Sequence, residues 1–69
     1  MASRLAEYAK AKGFASEVEA LKHAIRIGKT YDGITKEIGY KSANSVRQAC
    51  IANKLNFERV ETVIIRELA

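Results

Sequence analysis

The sequence predicts an all-α protein, a small bundle of about five helices. Three observations carry this expectation. Apolar residues recur at i, i+3 and i+4 along most of the 69 residues, which is the period of one helix face. Ser16, Thr30, Ser42 and Asn56 each precede such a segment, where a short side-chain oxygen can cap free helix N–H groups. Proline is absent, and the four glycines fall mostly where periodic segments stop.

In SRLAEYAKAKG, residues 3–13, Leu5, Tyr8 and Ala9 share one face with the stem of Lys12, and Gly13 is the stop. In SEVEALKHAIRIG, residues 16–28, Ser16 and Glu19 form a capping box. The serine oxygen accepts the Glu19 N–H while the Glu19 carboxylate reaches back to the Ser16 N–H. Val18, Leu21 and Ile25 make the buried stripe, and Gly28 ends the helix. His23 lies beside that stripe, partly exposed, and no chemistry is assigned to it.

Thr30 caps YDGITKEI, with Asp32 in the first turn, where the helix dipole favours a negative charge. Tyr31, Ile34 and Ile38 line one face. Gly33 inside this helix costs up to about 1 kcal/mol relative to alanine, and a close approach by another helix would explain it. Gly39 is the left-handed residue that ends the helix. Ser42 caps ANSVRQACIANK, whose apolar side is Val46, Ala49, Cys50 and Asn53. In the last segment, NFERVETVIIRELA, Phe57, Val60, Ile64 and Leu68 fit a helix capped by Asn56, and helix is the favoured reading. The run VETVII is nevertheless β-branched enough for a strand, and Val63 and Ile65 lie off the helical stripe.

A chain of this length without low-complexity segments is expected to be one domain, with about 60% of its unfolded surface buried on folding. The hydrophobic fraction of 48% is that of a globular protein and argues against disorder. No apolar run approaches the roughly 18 residues of a membrane span, and MASRLAEYAKAKG lacks the apolar block of a secretory signal. A cytoplasmic location is expected. The single cysteine, Cys50, cannot form an internal disulfide, and no Cys/His cluster suggests a metal site. Its helical spacing from Val46 makes it a small core residue rather than a reactive thiol.

The formal charge of +4 is unevenly spread. Residues 26–54 hold Arg26, Lys29, Lys36, Lys41, Arg47 and Lys54 against Asp32 and Glu37, while the flanking segments nearly cancel. Such a basic segment is the electrostatic footprint of a nucleic-acid binder. Two short helices, Tyr31–Ile38 and Ala43–Lys54, meet there at a glycine turn, and the second has a polar outer face. That is a helix-turn-helix, at about 31–54. A helix fits the major groove, where arginine pairs with guanine and asparagine or glutamine with adenine. Ile34, Ile38 and Tyr40 form the inner seam with Val46 and Ala49. Lys41 and Ser42 then suit phosphate contacts, and Asn44, Ser45, Arg47 and Gln48 suit base edges. Lys36, Lys54 and Arg26 are further phosphate candidates.

The stretch ITKEIGYKSANSV resembles the helix-turn-helix of the LexA family of repressors, with the pattern I-A-x-x-L-G-[FY]-[RK]-S-x-N-[AS]-[AV]. The similarity covers Ile34 to Val46, including the Ser-x-Asn entry to the second helix. It implies that Ser42, Asn44 and Ser45 approach DNA, with Arg47 and Gln48 on the same surface. Related Gly-Tyr-Lys-Ser turns occur in small phage and bacterial DNA-binding proteins. Thr35 stands where the family has alanine, and fits if its hydroxyl bonds back to the helix. The family's domain continues into a two-stranded wing, whereas residues 56–69 read here as helical. Nothing resembles that family's self-cleavage machinery.

The expected function is sequence-specific binding of double-stranded DNA, as a small bacterial or phage transcriptional regulator. Architectural, packaging or excision roles use the same surface. A protein-interaction module of antirepressor type is an alternative, and RNA binding a weaker one, because the aromatic residues read mostly as core. One His, one Cys and one Asp without a glycine-rich phosphate loop give no basis for an enzyme. No cofactor is expected. A homodimer through residues 56–69 would pair two DNA half-sites about 34 Å apart.

Overall fold

The computed structural model describes residues 3–58 and 61–68, in which four helices are followed by a β-hairpin. The helices are α1 Arg4–Lys12, α2 Glu17–Gly28, α3 Tyr31–Ile38 and α4 Ala43–Ala52. The strands, β1 Leu55–Phe57 and β2 Ile65–Glu67, pair antiparallel with Leu55 opposite Glu67, Asn56 opposite Arg66 and Phe57 opposite Ile65.

Two helix starts, at Ser16 and Thr30, follow the capping expectation, and Ser3 adds a cap to α1. Ser3 Oγ accepts the Ala6 N–H at 3.0 Å, Ser16 Oγ accepts the Glu19 N–H at 3.3 Å, and Thr30 Oγ1 accepts the Gly33 N–H at 3.0 Å. α1 ends at Gly13, as the sequence indicates. The buried face of each helix is also close to the expected one. Leu5, Tyr8 and Ala9 are inside on α1, Leu21 and Ile25 on α2 with Ala20 and Ala24, and Val18 is half-buried beside them. Ile34 and Ile38 come from α3, Val46 and Cys50 from α4, and Leu55 from β1. Leu21, Ile25, Ile34 and Val46 are completely enclosed, and each such side chain contributes about 1.5–3 kcal/mol by leaving water. The Tyr8 hydroxyl donates to Glu37 Oε2 at 2.7 Å and ties α1 to α3. The Cα radius of gyration is 10.8 Å, near the roughly 11 Å expected for a folded chain of this length.

α2 and α3 meet through two glycines. A β-carbon on Gly33 would lie 2.1 Å from the Gly28 carbonyl oxygen, and one on Gly28 would lie 2.5 Å from the Ile34 nitrogen. The close approach expected at Gly33 is therefore with the last residue of α2. Between the glycines, Lys29 adopts φ 66°, ψ −32°, and the Thr30 N–H closes a tight turn onto the Gly28 carbonyl at 2.7 Å.

The C-terminal segment corrects the helical expectation. Phe57, Val63 and Ile65 pack toward the core, while Ile64, Arg66 and Leu68 are exposed. This alternation is the two-residue period of a strand, and it turns inward Val63 and Ile65, which had no place on the helical stripe. The hairpin is held to the helices by the Leu68 N–H donating to the Lys54 carbonyl at 2.7 Å and by an ion pair between Lys22 and Glu67. Val60, which the helical reading used, lies outside the described residues. The fold is mostly helical with a small sheet, neither five helices nor all-α. Among the described residues, no helix is long and apolar enough to cross a membrane.

Candidate nucleic-acid interface

The segment expected to be a helix-turn-helix consists of α3, the turn at residues 39–42 and α4. Thr35 Oγ1 donates to the Tyr31 carbonyl at 2.6 Å, so its hydroxyl is satisfied within α3. Gly39, at φ 92°, turns the chain in a conformation that a side chain would strain, and its N–H and that of Tyr40 both return to the Thr35 carbonyl. Tyr40 is half-buried behind α4. Burial, with nearby Glu17 and Cys50, pushes its hydroxyl above the ordinary tyrosine value and keeps it neutral. The inner seam of Ile34, Ile38, Tyr40, Val46 and Ala49 is as expected.

α4 presents one outward stripe. Asn44, Arg47, Gln48 and Ile51 are exposed at i, i+3, i+4 and i+7, opposite buried Val46 and Cys50. Cys50 is an unbonded thiol on the inner side, and burial pushes its pKa up, as befits a core residue. Ser42 holds the extended backbone of a cap, at φ −149°, ψ 157°, but its side chain makes no capping bond. Its exposed hydroxyl is left for another acceptor or donor. Exposed Lys41 stands beside it.

Ser45 is set back from the stripe. It is half-buried and shares a cleft of about 370 Å³ with Ser3, Glu17, Tyr40, Asn44 and Gln48. On the opposite flank, Tyr31, Ala43, Asn44 and Arg47 border a second cleft of about 280 Å³. A third, of about 370 Å³, runs along Tyr31, Arg47, Ile51, Leu55, Asn56 and Leu68 toward the hairpin. The fold thus gathers Lys41, Ser42, Asn44, Arg47 and Gln48 on one turn and one helix face. Lys36 is exposed in the last turn of α3, and Lys54 is exposed in the turn after α4, at φ 56°. Both border none of the three clefts. α4 ends at Ala52, two residues before the expected Lys54.

The charges divide in the same way. The ion pairs join Arg4 to Glu7 at 3.5 Å, Lys22 to Glu67, and Arg66 to Glu58 at 2.7 Å, all outside residues 26–54. Among the described residues, Arg26, Lys29, Lys36, Lys41, Arg47 and Lys54 form none. The positive charge of this segment is therefore not offset by ion pairing among the described residues.

Two surface residues escaped the sequence reading. Ile51 was overlooked, although counting from Asn44 at helical spacing would have found it. Tyr31 was expected inside with Ile34 and Ile38 but is 41% exposed, and its ring lies 4.9 Å from that of Phe57. That partner comes from the hairpin, so no periodicity within α3 could reveal it. Among the described residues, no group of three or more His, Cys, Asp or Glu side chains is placed to hold a metal ion. No family model matches the chain, and no curated protein or solved structure matches it either.

Proposed function

We propose that the chain binds double-stranded DNA in a sequence-specific manner, with α4 in the major groove, as a small bacterial or phage transcriptional regulator. One observation carries the reading. The outward stripe of α4 offers an asparagine, an arginine and a glutamine that take no part in the core, on the segment whose cations form no ion pair among the described residues. Arg47, Asn44 and Gln48 address base edges, and Ser45 reaches them only from the flank. Lys41 and the uncapped Ser42 hydroxyl address phosphates, with Lys36 and Lys54 further along the backbone path. The function is binding, without a catalytic step or a cofactor.

The hairpin after α4 supports the LexA-like resemblance, because the helical C-terminus expected to separate the chain from that family is replaced by two paired strands. It also supports a homodimer. Ile64 and Leu68 are 45% and 47% exposed on the segment 56–69, and two copies would raise an affinity limited by the roughly 600–1,000 Å² that a single module buries.

A protein-interaction module is the second reading, favoured by the exposed apolar edge of Tyr31, Ile51 and Leu68 along one cleft. Titration of a random duplex library at several salt concentrations, with sequencing of the bound fraction, separates the two. The DNA reading expects a steep salt dependence and an enriched motif. A steep slope without a motif would mean an architectural or packaging binder. Absence of binding at low salt would sink the DNA reading in favour of the protein partner.

A further inference from the structure

Among the described residues, Ile51 is the most exposed large apolar side chain, at 58%. It completes a stripe that is otherwise amide and guanidinium, while the core contacts of α4 are made by Val46, Ala49 and Cys50. Of the five large apolar side chains exposed among the described residues, Ile51 is the one on the polar stripe of α4.

The length of the stripe matters. From Asn44 to Ile51 the helix rises about 10 Å, which fits within a major groove about 12 Å wide. On the duplex-DNA reading, the four stripe residues then face the same stretch of groove. Base-pair edges there offer hydrogen-bonding groups to Asn44, Arg47 and Gln48, and a single kind of apolar group, the thymine 5-methyl. Arg47 borders the same cleft as Ile51, and its guanidinium has no ion-pair partner among the described residues. A wholly apolar occupant would bury that charge unpaired, at a high desolvation cost. Adjacent guanine and thymine edges satisfy both side chains.

We propose that Ile51 is a specificity residue that reads a thymine 5-methyl group at the end of the site contacted by the C-terminal half of α4. The inference rests on the duplex-DNA reading above.

The experiment replaces each thymine of the enriched duplex, one at a time, by deoxyuridine, which lacks only that methyl. At one position the wild-type chain is expected to bind about fourfold more weakly, the effect of losing one buried methyl. Ile51→Ala should bind the thymine and uracil duplexes equally, and Ile51→Val should retain most of the difference. Because Ile51 is exposed, thermal melts of the variants should match the wild type, so a binding change reports the contact. Indifference of the wild type to every replacement, or undiminished discrimination in Ile51→Ala, overturns the inference while leaving DNA binding intact. Failure to bind any duplex at low salt overturns both.

Discussion

The Gly28 carbonyl oxygen occupies the space that a side chain on Gly33 would need, with 2.1 Å between that oxygen and an added β-carbon. The obstacle is backbone, so α2 and α3 would have to separate. Gly33→Ala should destabilise the protein by about 1–2 kcal/mol, the net of an overpacking penalty of about 2–3 kcal/mol and the roughly 1 kcal/mol of helix propensity it gains. For a chain whose total stability is roughly 3–10 kcal/mol, that loss is severe. Urea unfolding would show it, and a wild-type midpoint would refute the packing account.

Lys29 makes the opposite case. Its φ of 66° lies in the left-handed half of backbone space, next to a glycine that cannot be spared for the purpose. A non-glycine residue there costs about 1–2 kcal/mol, and glycine's extra chain entropy returns about 0.5–1 of it. Lys29→Gly should therefore stabilise the fold by about 0.5–1 kcal/mol. A lowered melting temperature would contradict this.

Tyr8 predicts an alkaline limit to stability. Burial, then the hydrogen bond to Glu37, then the charge of Glu37 push its pKa from 10.0 to about 12. The folded chain holds this proton longer than the unfolded one. The stabilisation is therefore complete below pH 10 and is lost as the pH rises toward 12. Tyr8→Phe should lose about 1 kcal/mol at neutral pH with the hydrogen bond, and should show a shallower decline above pH 10. Tyr40 and Cys50 also resist deprotonation when folded, so the difference between the two proteins is the quantity to measure. Parallel declines would remove Tyr8 as the cause.

Roles on the proposed DNA surface separate by salt. Arg47→Ala or Asn44→Ala should cost about 1–3 kcal/mol on the preferred duplex and relax its sequence preference. Lys41→Ala should weaken all duplexes about equally and lower the salt slope by about one. If Arg47→Ala leaves affinity and preference unchanged, α4 is not the reading helix.

The proposed dimer is tested at the hairpin's exposed residues. Leu55 is buried, and Phe57 and Ile65 pack against the core, so deleting the hairpin would damage the fold itself. Ile64→Ser combined with Leu68→Ser changes only exposed positions. Light scattering should then report a monomer where the parent is a dimer, and an unchanged mass would dismiss this interface.

The helices were legible because their signals are local. Caps at Ser16 and Thr30, stops at Gly13 and Gly39, and stripes such as Leu21–Ile25 act within a few residues. The Ser16–Glu19 box is only half made, with the Ser16 oxygen accepting the Glu19 N–H and no return bond from the carboxylate among the described residues. The hairpin was misread because Phe57, Ile64 and Leu68 happen to keep helical spacing, while the pairing of Phe57 with Ile65 that decides the matter is non-local. Tyr31 was misplaced for the same reason, since its neighbour is Phe57. Of the candidate interface, Lys41, Ser42, Asn44, Arg47 and Gln48 were named from sequence and share one surface. The half-burial of Ser45 and the distance of Lys36 and Lys54 from the clefts needed three dimensions.

The division of α4 into an inward side of Val46 and Cys50 and an outward side of Asn44, Arg47, Gln48 and Ile51 has an evolutionary consequence. The four outward positions are exposed and their side chains make no hydrogen bond or ion pair among the described residues, so randomising them together should cost the scaffold little. If the proposed DNA-binding role holds, selection acting on them alone could redirect the protein to a new target while folding stays constant, which would make this small chain a starting point for reprogrammed variants.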